Sequence, residues 1–309
     1  MKKIFLLVPV FSLVMIIGCS EKSDNVAAYS GDEIRIKANI GAVTRAQIVA
    51  PLENNLSVKF ARVDGDFEDY SEGETLTGTV AKSDYELTFA GENNKYPAAK
   101  GTVNLIGWYP ADGAFDVSGK VTHTIDGSTD VMFTNLVRGS SDEQITSITF
   151  NHALSYATIK ASFEIDAAEE WEDITSVTLE GITGNYDFTL PTLVDALVTT
   201  IEPNDTPEIG NVVFDSFDPI TTTPNVVGNA LFVPCASLKI TVASASKSGS
   251  VVVAGHFAAS TSYVITIKID KEVLIPIVIT NASSPIGEWL DDGGNPFIVD
   301  GGTLNPDVD

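Results

Sequence analysis

The chain has 309 residues, with 18 lysines and arginines against 42 aspartates and glutamates, a formal net charge of −24 and only two cysteines. A surface of that sign repels a phosphate backbone, which argues against nucleic-acid binding. Hydrophobic residues at 44% and charged residues at 19% argue against long-range disorder and leave enough apolar material for a core.

Lys2 and Lys3 precede an apolar run from Ile4 to Ile17. The run is shorter than the roughly 20 residues of a membrane-spanning helix and has the length of a signal-peptide core. It ends in Ile16-Ile17-Gly18-Cys19-Ser20, which resembles the lipobox of bacterial lipoproteins. That resemblance implies cleavage before Cys19, acylation of Cys19, and attachment to a membrane through lipid alone. Cleavage there removes two lysines and no acid, leaving 16 basic against 42 acidic residues, a net −26. With Cys19 lipidated, Cys235 has no partner for an internal disulfide, so the fold must rest on its core.

After a polar tether, Ser20 to Asp32, the sequence alternates. Ile34, Ile36, Ala38 and Ile40 fall on one face and Arg35, Lys37 and Asn39 on the other, the period of a half-buried strand. The same period returns in Leu56-x-Val58-x-Phe60, in Tyr85-x-Leu87-x-Phe89, and at Ile159, Ala161, Phe163 and Ile165. It recurs at Leu238, Ile240 and Val242, and at Tyr263, Ile265, Ile267 and Ile269. Asp64-Gly65, Asp112-Gly113, Asp126-Gly127 and Gly293-Gly294 punctuate these runs as turns. Helical periodicity is nearly absent, with one or two turns expected at Ala167 to Asp173. The chain therefore reads as all-β and antiparallel.

At roughly 150 residues per domain the length predicts about two domains, and one large β domain also fits. The acidic stretch Asp166 to Asp173 is the expected joint between two sandwiches. Thr199 to Pro224, rich in Thr, Pro, Asp and Asn, reads as a long surface excursion of the second.

No constellation for chemistry is legible. His123, His152 and His256 stand far apart, outside metal-ligand spacings, and His152 reads as a core or turn histidine satisfied by backbone. Cys235 has no local nucleophile motif, and neither a serine-hydrolase element nor a phosphate loop is present. Asp64 to Asp69 spaces oxygens as calcium loops do, but Asp69 and Thr75 stand where such loops carry glycine and glutamate. The sequence thus predicts no catalytic residue, no metal site, no cofactor and no enzyme.

Several segments together resemble the fimbrillin family, lipoprotein precursors of bacterial type V pili and related surface adhesins. They are the lipobox at Cys19; Thr44-Arg45-Ala46; Gly107-Trp108-Tyr109-Pro110; Ile148 to Ser155; Val177 to Ile182; Leu231 to Pro234; and Ile286 to Trp289. The resemblance implies two tandem transthyretin-like β-sandwich domains, at 46–168 and 169–309. A signal peptide at 1–18 and a tether and prosegment at 19–45 precede them.

It further implies that a trypsin-like protease cuts between Arg45 and Ala46, that the strand Glu33 to Ala42 leaves, and that a strand of another pilin subunit replaces it. The donor strand is expected near the carboxyl end. The implied location is the outer membrane, exposed at the cell surface, and then the fimbrium, with other pilin subunits and a host or bacterial surface ligand as partners. A second reading makes the chain a glycan-binding surface lipoprotein that uses Trp108 or Trp289 as a stacking platform.

Overall fold

A computed structural model describes residues 32–41, 52–91, 93–198, 200–204 and 209–281, with two short paired segments at 297–298 and 302–303. Cys19, Arg45, Ala46 and Trp289 lie outside the described residues. The described chain is almost wholly β, as the alternation predicts.

Its first half supplies β1 (Ile36–Ile40), β2 (Leu56–Asp64), β3 (Glu74–Val80), β4 (Glu86–Phe89), β5 (Val103–Tyr109), β6 (Ala114–Asp116), β7 (Lys120–Ile125), β8 (Met132–Phe133), β9 (Val137–Gly139), β10 (Ser147–His152) and β11 (Ser155–Phe163). After the one-turn helix α1 (Ala168–Trp171) come β12 (Ile174–Thr189), β13 (Thr200–Pro203), β14 (Gly210–Phe214), β15 (Asn225–Phe232), β16 (Cys235–Ser244), β17 (Ser248–Phe257), β18 (Ser262–Ile269) and β19 (Val273–Asn281).

An eight-stranded sheet runs β2-β3-β4-β1-β10-β8-β5-β9, and a further antiparallel pairing of β2 with β5 closes it on itself. β1 lies inside the order, between β4 and β10, and so has no free edge. The interior is filled by alternate residues of the strands, among them Val58, Phe60, Leu87, Leu105 and Phe150. Phe60 meets Phe89 and Phe150 edge to face at 5.2 and 6.0 Å, a favoured aromatic geometry.

The same ring explains Gly107, where an added Cβ would come within 2.5 Å of the Phe60 ring. Gly107→Ala is therefore expected to cost about 1–3 kcal/mol through overpacking. Urea unfolding checks it, with Gly113→Ala as a second close-contact site. There the Cβ would meet His123 at 2.4 Å.

The outer face of β2 and β5 is covered as well. Ala61, Ile106 and Trp108 pack with Val121, Phe133 and Phe188 in a second cluster. That cluster lies under the sheet formed by β6, β7 and the second half of β12, where Gly184–Thr189 pairs with Ile125–Lys120. The first half of β12 pairs instead with β16 and β14.

Facing that second part is a sheet ordered β15-β11-β18-β19, with β11 antiparallel to β15 and parallel to β18. Between them sits a third cluster that includes Ile159, Trp171, Leu179, Ile240, Val253 and Ile265. β11, on the amino-terminal side of the acidic stretch 166–173, thus pairs with strands from the other side of it.

Two details differ from the sequence reading. Ile165 is 80% exposed, because β11 ends at Phe163 and the chain turns through Asp166 in a left-handed conformation, φ +69. The stretch 199–224 is not a continuous excursion, since β13 and β14 add to β12. Both are edge strands with largely exposed side chains, so their composition resembles that of a loop.

Candidate assembly site around the first strand

β1 and the residues just ahead of it fit their slot through three inward side chains, Ile34, Ile36 and Ala38, which are 2, 1 and 1% exposed. Arg35, Lys37 and Asn39 face outward. One edge is antiparallel to β4, with Ile36 opposite Leu87 and Lys37 opposite Glu86. The other is parallel to β10, with Lys37 to Ile40 opposite Ser147 to Phe150.

Backbone donors are satisfied on both sides. Ala38 N–H donates to Tyr85 O at 2.9 Å, Lys37 N–H to Thr146 O at 3.0 Å and Gly41 N–H to Phe150 O at 2.7 Å. Ahead of the strand, Ile34 N–H donates to Asn94 O at 2.7 Å, and the Glu33 carboxylate accepts from Arg35 and from Asn94 Nδ2.

Burial of a large aliphatic side chain stabilises by about 1.5–3 kcal/mol, so Ile34, Ile36 and Ala38 make β1 and its lead-in a substantial part of the first core. Losing it would strip apolar cover from the interior and leave unpaired backbone groups on β4 and β10.

Tyr85 was legible only as one apolar position in an alternating run. In the structure it lies before β4 with a left-handed φ of +61. Its carbonyl accepts from Ala38, and its hydroxyl accepts from Leu52 N–H at 3.3 Å. Tyr85 thus bonds both to Ala38 of β1, through its backbone carbonyl, and to Leu52, the first described residue after 42–51, through its side chain.

Of the four arginines, Arg62 is 1% exposed in β2, bound to Asp64 and to Asn93 O. Arg138 belongs to β9 and pairs with Asp66 at 3.2 Å. Arg35 adjoins β1. Only Arg45 belongs to a segment outside the described residues.

The other sequence candidates are scattered. His152 is buried, and its partner is a carboxylate rather than backbone: Nδ1 lies 2.6 Å from Asp130 Oδ2, with both side chains at most 1% exposed. His123 is buried near Phe133 and Phe188. Cys235 is half-buried, and burial pushes its thiol pKa up, the opposite of what a nucleophile needs.

Asp64 is engaged by Arg62, and Asp66 is fully exposed. No group of three or more His, Cys, Asp or Glu among the described residues is arranged to hold a metal ion. Trp108 is fully buried and stacked on Phe115 at 5.7 Å, so it offers no platform to a sugar. No helix among the described residues is long and apolar enough to cross a membrane.

The described residues form a multi-sheet β protein whose first strand is held along both edges and is followed in sequence by Arg45. A family model described as Fimbrillin-like matches residues 34–289, and the chain belongs to that family. The match starts two residues before β1 and spans Arg45.

Among solved structures, a candidate cell adhesion protein from Bacteroides ovatus aligns with TM-score 0.53 at 14% identity, over 84% of this chain and 99% of that one. A second, from Bacteroides uniformis, aligns with TM-score 0.53 at 15% identity, over 82% and 98%. At such identities the likeness is one of fold. No match was found among curated proteins.

Proposed function

We propose that the chain is a pilus subunit or a fimbrillin-like surface adhesin, exported as a lipoprotein through Cys19 and matured by cleavage between Arg45 and Ala46. Cleavage separates β1 from the rest of the chain, and a strand of another subunit takes its place. The observation that carries this reading is the double pairing of β1 in a closed sheet. A strand entering the empty slot regains both ladder bonds and apolar burial, which is β-strand addition in its strongest form.

Family membership supports a structural and adhesive role at the cell surface rather than an enzymatic one. Strong like charge on each copy disfavours casual aggregation. The segment Cys19 to Arg45 carries four bases and four acids, so its removal leaves the −26 on the retained chain.

Limited trypsin digestion of the purified precursor, followed by intact mass and native gels, tests the proposal. One cut at Arg45 and a ladder of oligomers absent from Arg45→Ala is the expected result. Cuts elsewhere with Arg45 intact, or clipped protein that stays monomeric with β1 still bound, would overturn it.

A further inference from the structure

Three of the ten large apolar side chains exposed among the described residues fall within five positions: Leu193 at 73%, Val194 at 46% and Leu197 at 44%. The segment that presents them is fastened at both ends and in the middle. Leu190 N–H donates to Gly119 O at 2.8 Å, and Tyr70 Oη donates to Pro191 O at 2.6 Å. Asp195 N–H donates to Leu136 O at 2.7 Å, and Ala196 O accepts from Leu136 N–H at 3.1 Å. Asp195 has φ +65, a left-handed turn conformation that aspartate and asparagine tolerate better than other non-glycine residues. The aliphatic side chains are thus displayed by a braced turn flanked by buried Leu190 and half-buried Val198, both of which pack with the cluster beneath β12.

The surroundings are acidic. Gly119 closes the turn between β6 and β7, whose tip carries exposed Asp116 and Val117. The loop that supplies Tyr70 brings exposed Asp69 and Glu72. Nearby bases are engaged: Lys120 with Asp187 at 3.7 Å and Arg138 with Asp66 at 3.2 Å. A second copy would oppose acid with acid, and an anionic lipid surface would be repelled in the same way.

From this juxtaposition of a braced aliphatic turn and an acidic rim, we infer that residues 193–197 form a docking surface for a polypeptide face that carries aliphatic side chains flanked by lysine or arginine. It lies outside the β1 slot and does not depend on strand exchange. Exposed apolar patches of this kind mark interaction sites, and the rim sets encounter rate and partner sign.

The test is fluorescence anisotropy of a labelled amphipathic leucine–lysine peptide titrated with the purified exported protein, beside an all-lysine peptide of equal length. Leu193→Ser/Val194→Ser/Leu197→Ser is expected to weaken binding by about tenfold or more with the melting temperature unchanged. Val252→Ser, at a distant exposed aliphatic, is expected to leave binding unchanged. Asp195→Asn keeps a residue that tolerates the left-handed conformation and is expected to weaken binding at low salt far more than at high salt.

Equal binding by the triple variant, an equal loss from Val252→Ser, or equal affinity for the all-lysine peptide would overturn the inference. So would self-association of the wild type that the triple variant abolishes, since that would make a second copy the occupant.

Discussion

Trp171→Ala is expected to destabilise the protein by about 3–5 kcal/mol, the range for emptying the space of a buried aromatic side chain. The residue is fully buried in the core of the second half. It also joins three separate stretches of chain. The indole Nε1–H donates to Asp270 O at 2.8 Å, and the Lys247 ammonium lies 4.9 Å from the ring centroid. Lys247 in turn donates to Lys271 O and lies 3.6 Å from the Glu170 carboxylate. Truncation leaves both a cavity and an unpaired carbonyl.

Trp171→Phe separates the two effects, since it keeps most of the packing and loses the hydrogen bond, worth about 0.5–1.5 kcal/mol. Urea midpoints of the two variants give the comparison. A loss below about 1 kcal/mol for the alanine variant would show that α1 is not part of the core.

That prediction turns on a residue the sequence places in a joint. Asp166 to Asp173 is acidic and flanked by strands, which is what makes it read as a joint. The burial of Trp171 comes from contacts with residues about 75 and 100 positions away along the chain, which no local period reports.

Where one face of a strand meets a core and the other meets water, the sequence was legible. Ile34, Ile36 and Ala38 are buried as their alternation demands, and so are Leu238, Ile240 and Val242. β5 follows no such pattern because it is covered on both sides, by the ring interior and by β7 and β12. The two-residue β8 and three-residue β9 are too short to show any period.

The candidate site divides in the same way. The strand that fills the slot is plain in the sequence. The slot itself is made by Tyr85, Thr146 and Phe150, brought to β1 across 47, 109 and 109 positions, and no spacing rule joins such residues. The Asp130–His152 contact was missed for the same reason, with 22 positions between an unremarked aspartate and a histidine read as backbone-satisfied.

Acidification is expected to weaken the fold well before carboxylates titrate, and His123 is the cause. The residue is 3% exposed, and its ring meets Phe133 and Phe188 edge to face at 5.8 and 5.7 Å. Nε2 is buried with no hydrogen-bond partner among the described residues. Burial penalises the imidazolium, and although the Asp112 carboxylate opposes the shift, the pKa falls from 6.5 to about 4.

The unfolded chain, with an ordinary histidine, therefore binds more protons than the folded one between those two values. Stability is full above about pH 6.5 and declines as pH falls toward 4, by a total on the order of 3 kcal/mol from this group. Asp69 and Asp116, held below the usual carboxylate value by hydrogen bonds from Ser71 and Ser118, lose their stabilisation only at lower pH, so the two windows separate.

Urea midpoints measured at steps from pH 7 to 4.5 should fall for the wild type and stay nearly level for His123→Gln, whatever the variant's absolute stability. A variant that declines as steeply as the wild type would move the cause to another group. Because His123 lies in the cluster between the closed sheet and the β7–β12 layer, the expected weakening starts where the first half of the chain rests on β12. A probe on Trp108, stacked on Phe115 in that same cluster, should therefore respond to pH before a probe on Trp171 does.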